Sequence, residues 1–210
     1  DAKMVQDMGA IGLQIELPMF HKPNQDDYVR YFTDISDAID IGVMIYNTHW
    51  FGCQSLNAET ILRMKDAEHV VAIKWAVPES VDYDEMRQFS DTFNVIDNSN
   101  QPVRCHKNGG QGYISVSIPA YPQHDLKVWE LLEAKQYDEA HALYSGVRTS
   151  LEPWLAKTAK RSGGQRQFKG MMTIVGQPAG PPRPPTLPIE EDELQELRGL
   201  FKEFGWPVVA

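Results

Sequence analysis

The chain has 210 residues, 42% of them hydrophobic and 10% aromatic, enough for a sizeable core and unlike a disordered chain. Its net charge of −9 and the scatter of its basic residues argue against a polyanionic partner such as nucleic acid. The two cysteines, Cys53 and Cys105, are too few for a disulfide framework and have no metal-ligand spacing. No apolar stretch approaches the length of a membrane span, and no signal peptide opens the chain, so a reducing cytoplasm is expected.

Strand-like and helix-like segments alternate along the chain. Residues 2–9 read as the end of a helix, with Gly9 just past it. Residues 11–17 read as a strand that stops at Pro18. Tyr28, Val29, Phe32, Ile35 and Ile39 recur at helical spacing and predict a helix over 26–39. A second strand follows at 41–46, then a helix over 57–65 with Asn57 as its N-cap. Residues 69–74 predict a third strand, 82–93 a third helix and 94–96 a short fourth strand. Residues 109–112 form a glycine turn, and 113–118 predict a fifth strand. Residues 122–135 and 137–159 read as helices, the proline-rich stretch 178–188 as irregular, and 189–204 as a final amphipathic helix. Its acidic start, Glu190, Glu191 and Asp192, suits the helix dipole better than a metal site. The basic cluster Lys157, Lys160, Arg161, Arg166 and Lys169 reads as a solvated helix end or loop.

Five strands at βαβ spacing imply a parallel sheet with right-handed crossovers. An open doubly wound sheet and part of a (β/α)8 barrel both satisfy this. No glycine-rich phosphate loop follows any strand, and the glycine turn at 109–112 precedes one, which is the wrong context for dinucleotide binding and favours the barrel.

Lys74 ends the apolar run Val70-Val71-Ala72-Ile73 and so stands at the C-terminal end of a strand, where such folds build their active sites. A lysine reaching solvent from a strand end is the ordinary case. Here the flanks are apolar on both sides, with Trp75-Ala76-Val77 following. Apolar surroundings disfavour the ammonium and leave a neutral nucleophile suited to Schiff-base chemistry. Tyr46 ends the preceding strand at the same level, either as a rim aromatic or as a proton carrier. The loop after it carries His49, Trp50 and Phe51, where specificity residues sit. His69, His106, Lys107 and Asn108 read as structural.

Four motifs in order, PMFHKP at 18–23, VMIYN at 43–47, VAIK at 71–74 and GGQGYISV at 109–116, with the tail GQPAGPPRPP at 176–185, carry a family resemblance. The chain resembles the dihydrodipicolinate synthase / N-acetylneuraminate lyase family of class I aldolases, over nearly its whole length. The resemblance implies a TIM (β/α)8 barrel with C-terminal helices. Residues 1–120 would supply five βα units, and 121–210 the last barrel helix and a helical extension, within one domain. It further implies that roughly three βα units, at ~30 residues each, precede Ala2 and carry a threonine-rich loop for the pyruvate carboxylate.

The activity implied is that of a class I lyase acting on a 2-oxo acid of the pyruvate type, by aldol cleavage, condensation or dehydration. Lys74 would form the imine, Tyr46 would transfer protons, and the backbone around Ile114 and Ser115 would line the pyruvate pocket. No metal or organic cofactor is implied, nor any nucleic-acid or membrane partner; a homo-oligomer, dimer or tetramer, is. Two departures bear on substrate. Phe20 stands where the dihydrodipicolinate-forming members carry a tyrosine, and Thr48-His49-Trp50-Phe51 lacks the arginine those members carry after the catalytic tyrosine. Lysine biosynthesis is therefore not the expected role. The competing expectations are a barrel that binds its ligand without turnover and a fragment inactive without its N-terminal portion.

Overall fold

The computed structural model describes residues 1–20, 22–50 and 52–209, so Phe51 lies outside the described residues. The chain packs as two compact units, Asp1–Ile114 and Ser115–Ala210. Among the described residues no helix is long and apolar enough to cross a membrane.

The first unit is built on five parallel strands in consecutive order: β1 Gly12–Glu16, β2 Gly42–Tyr46, β3 Val70–Trp75, β4 Asn94–Asp97 and β5 Gly112–Tyr113. A doubly wound sheet reverses its strand order at a switch point. No reversal occurs here, which is the order of successive barrel units. Alternation along the strands puts Val43, Ile45, Ile73 and Val95, all fully buried, on the face covered by helices, with Leu13 and Ile15 packed against them. Each such side chain contributes about 1.5–3 kcal/mol through burial. The opposite face carries Glu16, Tyr46 and Lys74.

Helices α1 Ala2–Asp7, α2 Gln25–Ser36, α3 Ala58–Leu62 and α4 Pro102–Lys107 belong to this unit. Helix α2 starts with a capping box: Asn24 Oδ1 accepts from the Asp26 and Asp27 amides, and Asp27 Oδ2 accepts from the Asn24 amide at 2.9 Å. Asn57 caps α3 as expected, accepting from the Thr60 amide at 2.8 Å.

Two expected elements are corrected here. The helix expected over 82–93 is a 3₁₀ helix confined to Tyr83–Gln88. Trp75 Nε1 donates to the Tyr83 carbonyl at 3.0 Å and occupies the acceptor that an α-helix would use for its next turn. The strand expected over 113–118 ends at Tyr113. Ser115 and Ser117 bond each other through their hydroxyls at 2.8 Å, and the Ser117 amide donates back to Ser115 Oγ. Local bonds of this kind compete with a sheet ladder. The division between the two units falls in this stretch.

The second unit is helical: α5 Pro122–Glu133, α6 Tyr137–Ser162, α7 Gln165–Ile174 and α8 Glu191–Glu203. Leu151, Trp154, Met171, Ile174, Leu197 and Phe201 form its core. Helix α7 was not expected; Gly163, Gly164 and Gly170 mask its apolar spacing. The basic cluster is corrected at one residue, Arg166. Arg166 is fully buried, pairs with Glu193 and donates to the Pro188 carbonyl at 2.7 Å, while Lys157 pairs with Glu196 and Arg161 with Glu190. Arg166 thus belongs to the core, while Lys157, Lys160 and Arg161 stay exposed at the end of α6 as expected, two of them pairing with Glu196 and Glu190. Glu190 and Glu193 complete a capping box at the start of α8, in line with the expected helix-start role of its acidic residues.

Candidate active site

The parallel register fixes which residues stand side by side. Glu16 pairs with Tyr46, Tyr46 with Lys74, Lys74 with Ile96, and Ile96 with Gly112. The result is one row across all five strands at their C-terminal ends. Paired residues on parallel strands project to the same face, about 4.8 Å apart. Lys74 Nζ lies over the Tyr46 ring, 4.0 Å from its centroid. Burial pulls the Lys74 amine below the ordinary lysine value, and the Glu16 carboxylate opposes that shift.

The loop after β2 extends this arrangement. The Trp50 ring meets Tyr46 edge-on at 6.0 Å, and the His49 ring meets Trp50 at 4.9 Å. A continuous set of contacts thus runs from Lys74 through Tyr46 and Trp50 to His49. Trp50 is 45% exposed, which leaves a face for a ligand. His49 Nδ1 is buried without a hydrogen-bond partner among the described residues, and His49 also lines a groove of about 390 Å³ with Gln25, Gln54, Pro78 and Glu85.

The loop is held by Asn47, a residue whose importance only the structure reveals. Its side chain is fully buried, donates to the Ala76 carbonyl at 3.2 Å and accepts from the Leu56 amide at 2.8 Å. Its amide donates to the Lys74 carbonyl at 3.0 Å. One side chain therefore ties the loop carrying His49 to the end of the strand carrying Lys74. The sequence signal was its place directly after Tyr46.

A second tie joins the ends of β3 and β4. Asp97 is fully buried and accepts from the Tyr83 hydroxyl at 2.8 Å, the Ser99 amide at 2.9 Å and the Gln101 amide at 2.8 Å. Burial raises its carboxyl pKa in spite of these bonds, and burial pushes the neighbouring Cys105 thiol up to about 12. Asp97 pairs with Trp75 in the register, on the helix-covered face, so this cluster supports the site from behind.

Of the remaining expected residues, Ile114 follows β5, is 40% exposed, and its amide donates to the Asp97 carbonyl at 2.8 Å. Phe20 lies in the turn after β1 and is 76% exposed. Ser115 belongs to the second unit, where its hydroxyl bonds Ser117. Glu16 carries no sequence signal, because a single strand does not reveal its neighbours.

A family model described as the dihydrodipicolinate synthetase family matches residues 1–204. Similar curated proteins include 4-hydroxy-tetrahydrodipicolinate synthase 1 of Halalkalibacterium halodurans, 26% identical over 198 residues, covering 93% of this chain and 65% of the relative. The 4-hydroxy-tetrahydrodipicolinate synthase of Corynebacterium urealyticum is 27% identical over 210 residues, covering 97% of this chain and 66% of the relative. This chain thus spans about two thirds of the length of the curated relatives it matches.

Among solved structures, dihydrodipicolinate synthase from Thermotoga maritima has a TM-score of 0.81 at 24% identity, over 97% of this chain and 70% of that one. A prophage protein of the dihydrodipicolinic acid synthase family from E. coli K12, in complex with pyruvate, gives 0.81 at 18% identity over the same shares, 97% and 70%. These likenesses are of fold, an α/β architecture with a parallel sheet like that of the synthase structures.

Proposed function

The chain belongs to the dihydrodipicolinate synthetase family, and on that premise we propose that it carries the imine-forming machinery of a class I lyase acting on a 2-oxo acid such as pyruvate. The observation that carries this reading is the pairing of Lys74 with Tyr46 in the row of strand ends, the amine 4.0 Å from the ring centroid and below its ordinary pKa. The pyruvate bound to the prophage relative is consistent with the substrate class.

The neutral Lys74 amine adds to the C2 carbonyl, and water leaves as the iminium forms. The iminium then accepts the electron pair of the breaking C3–C4 bond in an aldol, giving the enamine. Tyr46 relays the proton of the C4 hydroxyl: its oxygen accepts that proton as its own passes to C3 of the enamine, so the C4 group becomes the aldehyde and the phenol ends unchanged. Water hydrolyses the imine and frees Lys74, so the cycle is balanced without a redox partner. Dehydration uses the same intermediate, with the electron pair of C3–H expelling a hydroxyl at C4.

Borohydride reduction in the presence of pyruvate tests the reading. An adduct localised to Lys74 by mass spectrometry is expected, and a protein that yields no adduct with any 2-oxo acid removes it. Tyr46→Phe keeps the ring under the amine and deletes only the hydroxyl. Turnover should fall by about 10²-fold or more while the trapped adduct persists; unchanged turnover takes Tyr46 out of the mechanism.

Phe20 favours a second reading, a pocket that forms the imine without turnover, since a phenyl ring has no hydroxyl to join a proton relay. A trapped adduct with no product from a panel of 2-oxo acids would select it.

A further inference from the structure

We propose that Glu16 is a specificity-determining residue of the Lys74 site. It accepts a hydrogen bond from a hydroxyl or ammonium group on the part of the 2-oxo acid beyond its carbonyl, and it disfavours a second carboxylate there. The proposal rests on the imine reading above, because an imine at Lys74 is what fixes the substrate's first carbons.

The row of strand ends reads Glu16, Tyr46, Lys74, Ile96, Gly112. A substrate tethered at Lys74 can extend along it in two directions. Towards β4 it meets Ile96 and then a glycine, which offer no side-chain hydrogen bond. Towards β1 it crosses Tyr46, the residue that handles the proton of a C4 hydroxyl, and arrives at Glu16. At about 4.8 Å between strands, Glu16 stands one strand beyond the phenol and two beyond the amine. Substrate atoms past C4 span that separation.

Three further observations favour a ligand role. Glu16 is exposed at the end of β1. Its charge reaches into the site, since it acts on the Lys74 amine and on the Cys53 thiol. The loop after Tyr46, at Thr48, His49 and Trp50, offers no fixed positive charge to offset it. A carboxylate in that setting accepts from donors and repels anions.

The competing role is structural. A charged side chain on an edge strand discourages edge-to-edge pairing without touching any ligand.

The test measures half-saturating concentrations for borohydride-trapped adduct at Lys74 in the full chain, for wild type, Glu16→Gln and Glu16→Asp. Four probes are used: pyruvate, which has no distal group; 2-oxo-3-deoxygluconate, with distal hydroxyls; 6-trimethylammonio-2-oxohexanoate, with a distal ammonium whose quaternary nitrogen cannot cyclise onto the ketone; and 4-hydroxy-2-oxoglutarate, with a distal carboxylate. All values are taken relative to pyruvate in the same variant, which cancels any change in Lys74 itself.

Wild type should favour the hydroxylated or the ammonium probe over the dicarboxylate by roughly tenfold or more. Glu16→Gln should reduce that preference by about the same factor, and Glu16→Asp should lie between. A Gln that retains the hydroxylated probe but loses the ammonium probe identifies a cationic distal group; loss of both identifies neither alone and still assigns Glu16. Relative values unchanged within about twofold in Glu16→Gln, with pyruvate adduct intact, overturn the Glu16 assignment and leave the imine reading standing. Absence of a pyruvate adduct in wild type overturns both.

Discussion

Lys74 is subject to two influences of opposite sign. Burial disfavours its ammonium, while the Glu16 carboxylate and the face of Tyr46 favour it. Its folded pKa is lowered, so the neutral amine appears at lower pH than in an ordinary lysine. Adduct formation with pyruvate should therefore rise with pH and reach its half-point below the usual lysine range. Glu16→Gln removes a group that stabilises the ammonium and should move the half-point further down; a move upward would contradict this balance. The groups facing the amine in this comparison are Glu16 on β1 and Tyr46 on β2, with His49 reached through Trp50. The strand-end positions of Lys74 and Tyr46 were legible in the sequence because each terminates an apolar run. Glu16 and Asn47 were not, since the row of strand ends and the buried loop tie exist only once strands are paired and loops closed.

Elements were legible where local signals agree with tertiary packing. The caps at Asn57 and at the start of α8 follow from residue type alone. The 3₁₀ helix at Tyr83–Gln88 and the short β5 depended on contacts invisible along the chain: Trp75 taking the Tyr83 carbonyl, and the paired hydroxyls of Ser115 and Ser117. Glycines give the sharpest test at this scale. A Cβ on Gly110 would stand 2.2 Å from Cys105 Sγ and 2.9 Å from the Cys105 carbonyl oxygen, so the turn before β5 packs directly on α4. Gly146, inside α6, has nothing within 4 Å of such a Cβ. In urea titrations, Gly110→Ala should destabilise by about 1–3 kcal/mol. Gly146→Ala should stabilise by about 0.5–1 kcal/mol through lost unfolded-state entropy and better helix propensity. Equal effects at the two positions would show that the close approach at Gly110 is not real.

At the scale of the whole molecule, the absence of a phosphate-binding loop after any strand already favoured consecutive barrel units over a doubly wound sheet, and the strand order β1 to β5 agrees. β1 is hydrogen-bonded to β2 on one side and forms an edge of the sheet on the other. Apolar side chains stand close to it in sequence: Ile11 is 95% exposed, Met8 78% and Phe20 76%. The row that holds Glu16, Tyr46 and Lys74 has a further consequence, for which changes of length the gene tolerates. Side chains alternate faces with a period of two, so deleting one residue within β2 or β3 reverses the facing on one side of the deletion: either Tyr46 or Lys74 turns into the helix layer, or, where the loop after it holds, the core residues before it turn out. Removing two residues restores the facing. Ancestral insertions and deletions within these strands should thus come in even numbers, a parity rule that no individual side chain imposes.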